Sequence, residues 1–424
     1  MTQQNPTGQH LATHTSWYAR VPTLHSLAQR DWRILWLAGH LWHLAFWMDL
    51  LVLCWLVLEL TGSPFLVSLI GTFRLLPLGL TGFIFGSLGD RFPKHRILVA
   101  AQVVNTTATI GLAAMLLLGT TQLWHLYLTA LITGTAWATD FPVRRALIRD
   151  LVPEESVVNA VALDAASLTG MSMVGRFVGG GLLALSGAQG SYLFLCLCYQ
   201  VGLVMLLRVS VTPSDATVQP HRDSLLKGIK EGLVYAWRTP IVRGVLLVTV
   251  FFNLLVTPYL QLTPVFAREV LGVGPALMGL MSGMDGMGAL LGSMALASMG
   301  ANIRRLGAVF LACTLVVSLG ILLFSASTIY LLSLATLFFA GIGLSGFATM
   351  QIAIIVSTAR PDMRGRAMGA ITLAIAAMPL GMAYMGLVAD RYGAPAAVGG
   401  NAAACLVLLL AIVAFQPGLR RFKV

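Results

Sequence analysis

The residues of this sequence best placed for chemistry are charged side chains in apolar surroundings. Asp49, Arg74, Asp164, Arg176 and Asp285 each stand inside a hydrophobic run, and His40 and His43 add two titratable rings three residues apart, on one face of a helix. If those runs cross a bilayer, a charge at mid-helix costs about 2.5–3.5 kcal/mol, which makes each of these residues functional by default. Asp49 has two possible uses: a carboxylate that loads and releases a proton, or a permanently ionised partner of Arg74 or Arg176. His43 is the second proton-handling candidate, although both histidines lie towards a helix end, where interfacial histidines are common. Arg74, Arg176, Asp285 and the amide Asn253 are candidates for lining a substrate cavity. Gln351 is expected to serve helix-to-helix hydrogen bonding, at about 1 kcal/mol.

The elements that would hold these residues follow from composition. The chain has 424 residues, 57% hydrophobic and only 10% charged, far below the roughly 25% charged of soluble domains. The apolar residues fall in blocks of spanning length, about 17–25 residues each. Twelve are expected, near 33–60, 65–88, 96–119, 122–141, 157–186, 190–209, 241–266, 275–299, 304–325, 328–357, 366–389 and 394–415. The fold class expected is an all-α membrane protein in two six-helix halves. The organisation expected is a tail over 1–30, a half over 31–210, a linker over 211–240, a half over 241–416 and a tail over 417–424. Within the linker Leu225, Leu226, Ile229, Leu233 and Trp237 repeat at helical spacing among Lys227, Lys230 and Arg238, the pattern of an amphipathic helix lying along a membrane.

Net charge is +11, but the bases mark topology. Clusters at Arg91 to Arg96, Arg144 to Arg149, Arg208 to Arg243, Arg304 and Arg305, Arg360 to Arg366 and Arg420 to Lys423 share one side if both termini are cytoplasmic. No nucleic-acid face is implied. The four lysines, Lys94, Lys227, Lys230 and Lys423, do not follow a glycine, so no phosphate-binding P-loop is present. Cys54, Cys196, Cys198, Cys313 and Cys405 sit in apolar blocks without metal or redox spacing. No Ser/His/Asp or Glu/His arrangement suggests an enzyme, and no cofactor or metal is expected. The tryptophans, including Trp36, Trp42, Trp47 and Trp55, are expected mostly in interfacial belts and on lipid-facing surface.

The halves resemble each other. Glu59-Leu60-Thr61-Gly62 matches Glu269-Val270-Leu271-Gly272, Gly86-Ser87 matches Gly292-Ser293, and Pro153-Glu154-Glu155 matches Pro361-Asp362-Met363, at nearly one offset. A parallel repeat is a transporter architecture with the substrate between the halves. It places Arg74 and Asp285 at similar depths, with opposite charges across the cavity.

The loop Gly86-Ser87-Leu88-Gly89-Asp90-Arg91-Phe92-Pro93-Lys94-His95-Arg96 resembles the cytoplasmic Gly-x-Leu-x-Asp-Arg-x-Gly-Arg/Lys-Arg/Lys motif of the major facilitator superfamily, with Pro93 in place of glycine. The resemblance implies a gate in which Gly86 allows close packing and Asp90, Arg91 and Arg96 make and break charge contacts. Leu60-Thr61-Gly62-Ser63-Pro64, Pro264 to Gly272 and Arg364-Gly365-Arg366 are similar to the exporter branch that includes enterobactin and macrolide efflux proteins. Gly175-Arg176-Phe177-Val178-Gly179-Gly180 resembles the Gly-Pro-x-x-Gly-Gly stretch of antiporters, but Arg176 replaces the proline and its kink. Gly175, Gly179 and Gly180 still allow close helix packing.

The reading is a secondary transporter in the cell's inner membrane, with both termini cytoplasmic. It would export an amphiphilic small molecule, such as a drug, macrolide or siderophore-like compound, in exchange for protons, and act as a monomer in the lipid bilayer. A lipid or lysophospholipid carrier of the same fold is the alternative within transport. A non-transporting membrane sensor or scaffold is the alternative outside it.

Overall fold

The computed structural model describes residues 22–88, 92–210, 225–300 and 303–423, without the side chains of 22–24, 79–88, 225–230 and 417. Asp90 and Arg91 of the gating loop therefore lie outside the described residues, as do the side-chain surroundings of Gly86. The described chain is almost wholly helical: α1 (Arg30–Thr61), α2 (Pro64–Leu88), α3 (Lys94–Leu117), α4 (Leu123–Leu151) and α5 (Val157–Leu207) precede the linker helix α6 (Leu225–Arg238). After it come α7 (Pro240–Leu255), α8 (Tyr259–Val265), α9 (Pro275–Met299), α10 (Leu306–Ala326), α11 (Tyr330–Thr358), α12 (Arg364–Ile375), α13 (Met378–Tyr392), α14 (Ala394–Phe415) and the short α15 (Pro417–Arg421). Among the described residues, eight helical segments are long and apolar enough to cross a membrane.

Local sequence explains most boundaries. α1 ends because Gly62 takes a left-handed φ of 65° while its N–H donates to the Leu58 carbonyl at 2.9 Å, and Pro64 then opens α2. The matched glycine of the second half, Gly272, has φ 62° and is followed by Pro275 at the start of α9. The sequence repeat is thus also a repeat of turn geometry. Gly187, at φ 66°, breaks α5 into two arms, at the gap between the fifth and sixth expected blocks.

Two expected blocks are interrupted. The seventh divides into α7 and α8 around Val256–Pro258, and the eleventh into α12 and α13 at Ala376–Ala377, just before Pro379. Proline supplies no N–H to the helix ladder and disfavours helical geometry in the residue before it. Hydropathy alone does not register either break, because the residues there remain apolar.

In the first half α1 packs on α5, α2 on α4, and α3 on both α4 and α5; in the second, α11 packs on α9 and α10, and α10 on α14. The halves meet where α5 lies on α9 and α2 on α13. The glycines of the α5 stretch make these contacts possible. A Cβ on Gly175 would strike the Leu44 carbonyl of α1, one on Gly179 would crowd Met48, and one on Gly180 would strike Gly279 of α9 across the interface. The exterior is apolar, with Leu117, Leu185, Leu331, Leu387 and Phe415 exposed.

α6 docks at one end of the bundle, hereafter the linker end. Glu231 pairs with Arg366 of α12 at 2.7 Å, and Gly232 lies against the Arg366 backbone. Leu233 and Trp237 remain exposed on the other face, as an amphipathic helix requires. At the far end, Ser63 donates to Asp390 of α13 at 2.6 Å and Cys54 to Gln261 of α8 at 3.2 Å; further in, Thr72 donates to the Pro379 carbonyl at 3.2 Å. Among the described residues, the hydrogen bonds joining the halves run from this end to mid-depth.

The tryptophan expectation needs correction for three of the four residues named. Trp42 and Trp55 are buried, and Trp47 faces an internal cavity, because α1 is enclosed by neighbouring helices and has little lipid-facing surface.

Candidate functional site

Between the halves lies a cavity of about 550 Å³, within the range of drug-sized sites. The first half contributes Phe46, Trp47 and Leu50 from α1, Arg74 and Leu75 from α2, Trp137 and Phe141 from α4, and Arg176 from α5. The second half contributes Gln261 and Pro264 from α8, Ser282 from α9, and Thr372, Ala376, Met378 and Pro379 around the α12–α13 break. Both interrupted helices therefore border the cavity, which is where membrane proteins tolerate irregular backbone.

Asp49 stands behind this wall, fully buried. Its Oδ2 accepts from Arg74 Nη1 at 2.5 Å and its Oδ1 from the Tyr192 hydroxyl at 2.7 Å. Arg74, 1% exposed, also donates from Nη2 to the Phe46 carbonyl at 2.9 Å and lies over the Phe46 ring at 4.0 Å. Its Nε has no acceptor among the described residues. Of the two partners open to Asp49, the structure selects Arg74, and all three residues of this network belong to the first half.

Arg176 works across the interface. Its Nη1 donates to Asp285 Oδ1 at 2.7 Å and to the Ser282 carbonyl at 2.8 Å, while the guanidinium lies over the Trp47 ring at 4.6 Å. Asp285 also accepts from the Gly286 N–H at 2.7 Å. The opposite charges at the repeat-related positions Arg74 and Asp285 do not face each other as a pair; each has a private partner.

The remaining candidates lie outside the cavity wall. Asn253 is buried and donates to the Thr249 carbonyl of its own helix at 2.9 Å, while Gln351 of α11 accepts from Thr249 Oγ1 of α7 at 3.0 Å and so ties two helices together. His43 is buried with Nδ1 unpaired among the described residues, and His40 is held between the Trp36 carbonyl and Ser167. Arg96 is exposed, next to a Lys94–Asp150 bridge of 2.7 Å that joins α3 to α4. Asp140 and Arg144, one helical turn apart on α4, form a buried two-pronged pair at 2.8 and 2.9 Å. Sequence reasoning missed that pair, although its spacing of four residues was visible. It also missed Tyr192, whose signal was a hydroxyl in an apolar block, where such a group needs a partner. The amide of Gln261 on α8 also lines the cavity and joins the halves through Cys54.

A helical bundle in two halves, with a cavity between them and a buried ion pair joining them beside it, defines a multi-pass membrane transporter. The family profile described as transmembrane secretion effector (MFS_3) matches residues 21–424. The chain is 26% identical over 392 residues to the multidrug efflux pump Tap of Mycolicibacterium fortuitum, covering 86% of this chain and 90% of that one. It is 20% identical over 340 residues to macrolide efflux protein A of Streptococcus pyogenes, covering 79% and 83%. A POT family transporter crystallised with 5-aminolevulinic acid superimposes with a TM-score of 0.73 at 13% identity, over 92% of this chain and 97% of the other. This chain belongs to the MFS_3 family of major facilitator transporters.

Proposed function

We propose that the protein exports an amphiphilic small molecule in exchange for protons by alternating access, through twelve spans with both termini and the linker end in the cytoplasm. The observation that carries this reading is the cavity between the halves, closed towards the far end by the Ser63–Asp390 and Cys54–Gln261 contacts. With the linker end cytoplasmic, as the basic loops suggest, this is an inward-facing arrangement ready to load substrate from inside. The efflux names of the relatives support the outward direction.

For coupling we favour Asp285 over Asp49. The Arg176–Asp285 pair spans the halves, beside the cavity and 10% and 6% exposed, so rocking of the halves must disturb it. Asp49 has both oxygens engaged within one half and can keep its partners throughout the cycle. His43 is retained as a second proton site, and Gly86, Asp90, Arg91 and Arg96 as the gate at the linker end.

The test is flux in proteoliposomes with and without a pH gradient. Stimulation by the gradient supports proton-coupled transport, gradient-independent movement of lysolipid favours the lipid carrier, and absence of any flux favours the sensor. A disulfide between Ser63→Cys and Asp390→Cys, in a protein whose native cysteines are replaced, should arrest flux until reduced. Full flux in the cross-linked protein would remove the alternating-access assignment.

A further inference from the structure

The charge arrangement of the cavity bears on what the substrate carries, and this inference rests on the transport reading above. Both ion pairs turn the same end towards the cavity. Arg74 and Arg176 belong to the wall, no Asp or Glu among the described residues does, and the matching carboxylates lie behind it. Each pair is neutral as a whole, yet at the short range of a bound ligand the Arg176 guanidinium, 9% exposed against 1% for Arg74, is the charged group a ligand meets.

The donors are also in surplus. Arg176 bonds Asp285 and the Ser282 carbonyl through Nη1, so its Nη2 and Nε take no part in either bond; Arg74 Nε also has no acceptor among the described residues, but it is buried. Two of the acceptors nearby are engaged, the Ser282 carbonyl by Arg176 and Gln261 Oε1 by Cys54. An acidic oxygen group would satisfy the spare N–H donors in charge-assisted bonds. An ammonium would bring further donors to a wall already rich in them.

An aromatic lining of this kind is also the setting of a cation cage. Three of these rings, however, already carry one of the protein's own guanidiniums on one face, Phe46 that of Arg74 at 4.0 Å, Trp47 that of Arg176 at 4.6 Å and Phe141 that of Arg145 at 4.2 Å. Trp137 is stacked on Phe46 at 5.2 Å. We propose that the cavity selects amphiphiles whose polar group is an anionic oxygen acid, a carboxylate or its like, over amphiphiles of the same apolar body that carry an ammonium.

The test uses two probes sharing one fluorophore, dansylglycine with a carboxylate and dansylcadaverine with an amine. Binding to the purified full chain is read by energy transfer from its tryptophans, and flux is measured in proteoliposomes. Dansylglycine should bind at least about tenfold more tightly. Asp285→Asn, which frees Arg176 Nη1, should tighten dansylglycine further, a gain that a folding defect cannot produce. Arg176→Gln, which strands Asp285, should reverse the preference, and Arg176→Lys should keep part of it. Equal or tighter binding of dansylcadaverine by the wild type, with gradient-driven flux, would overturn the acid preference and leave the transport reading standing. Saturable dansylglycine binding with no flux of either probe would overturn the transport reading and leave the preference standing. No saturable binding of either probe would overturn the preference.

Discussion

Asp49–Arg74 and Arg176–Asp285 are the same chemistry in two mechanical settings. Both are carboxylate–guanidinium pairs with the arginine over an aromatic ring, at 2.5 and 2.7 Å. The first lies within one half, fully enclosed and completed by Tyr192; the second joins the two halves at the edge of the cavity. A buried pair contributes little net stability while intact, but removing one partner strands the other charge at high cost. The lesson is that placement relative to the interface between the halves, and not the identity of the residues, separates a pair held within one half from a pair that joins the two.

The sharpest way to break this comparison is Asp49→Asn. It should strand Arg74 and cost about 3–5 kcal/mol, read as a large fall in melting temperature, with partial recovery when Arg74→Gln is added. A normal melt with loss of gradient-driven flux would return the coupling role to Asp49. Asp285→Asn comes next: gradient-driven flux should fall by about tenfold or more, while the melting temperature shifts much less, because the partly exposed Arg176 can turn to the cavity. If both variants melt alike, the two pairs are mechanically equivalent. Tyr192→Phe should cost about 1–3 kcal/mol by leaving Asp49 Oδ1 unsatisfied, and should leave coupling intact. The smallest effect belongs to Asn253→Ala, within about 1 kcal/mol and with flux unchanged, since its amide serves only a neighbouring carbonyl. A strong loss of flux there would extend the cavity beyond its present wall.

Much of the architecture was legible in the sequence. Charges are costly enough in lipid to be scarce, so the apolar blocks stand out; the blocks over 275–299 and 394–415 coincide with α9 and α14. The Gly62 and Gly272 turns were visible because φ near 65° favours glycine. The list of intramembrane charges, including Asp49, Arg74, Arg176 and Asp285, was complete enough to contain both pairs. Pairing was not legible, since it depends on how helices far apart in sequence rotate against one another: Arg176 meets Asp285 only because Gly180 and Gly279 let α5 and α9 approach closely. The helix interruptions at Pro258 and Pro379 were hidden by unbroken hydropathy, and the buried tryptophans of α1 by a rule that assigns such rings to interfaces. Sequence by itself determined which segments enter the membrane and which residues are too costly to be there without purpose. Tertiary structure alone decided which charge answers which, and that both arginines turn to the cavity, because those outcomes rest on distances of a few ångströms between elements that no local pattern encodes.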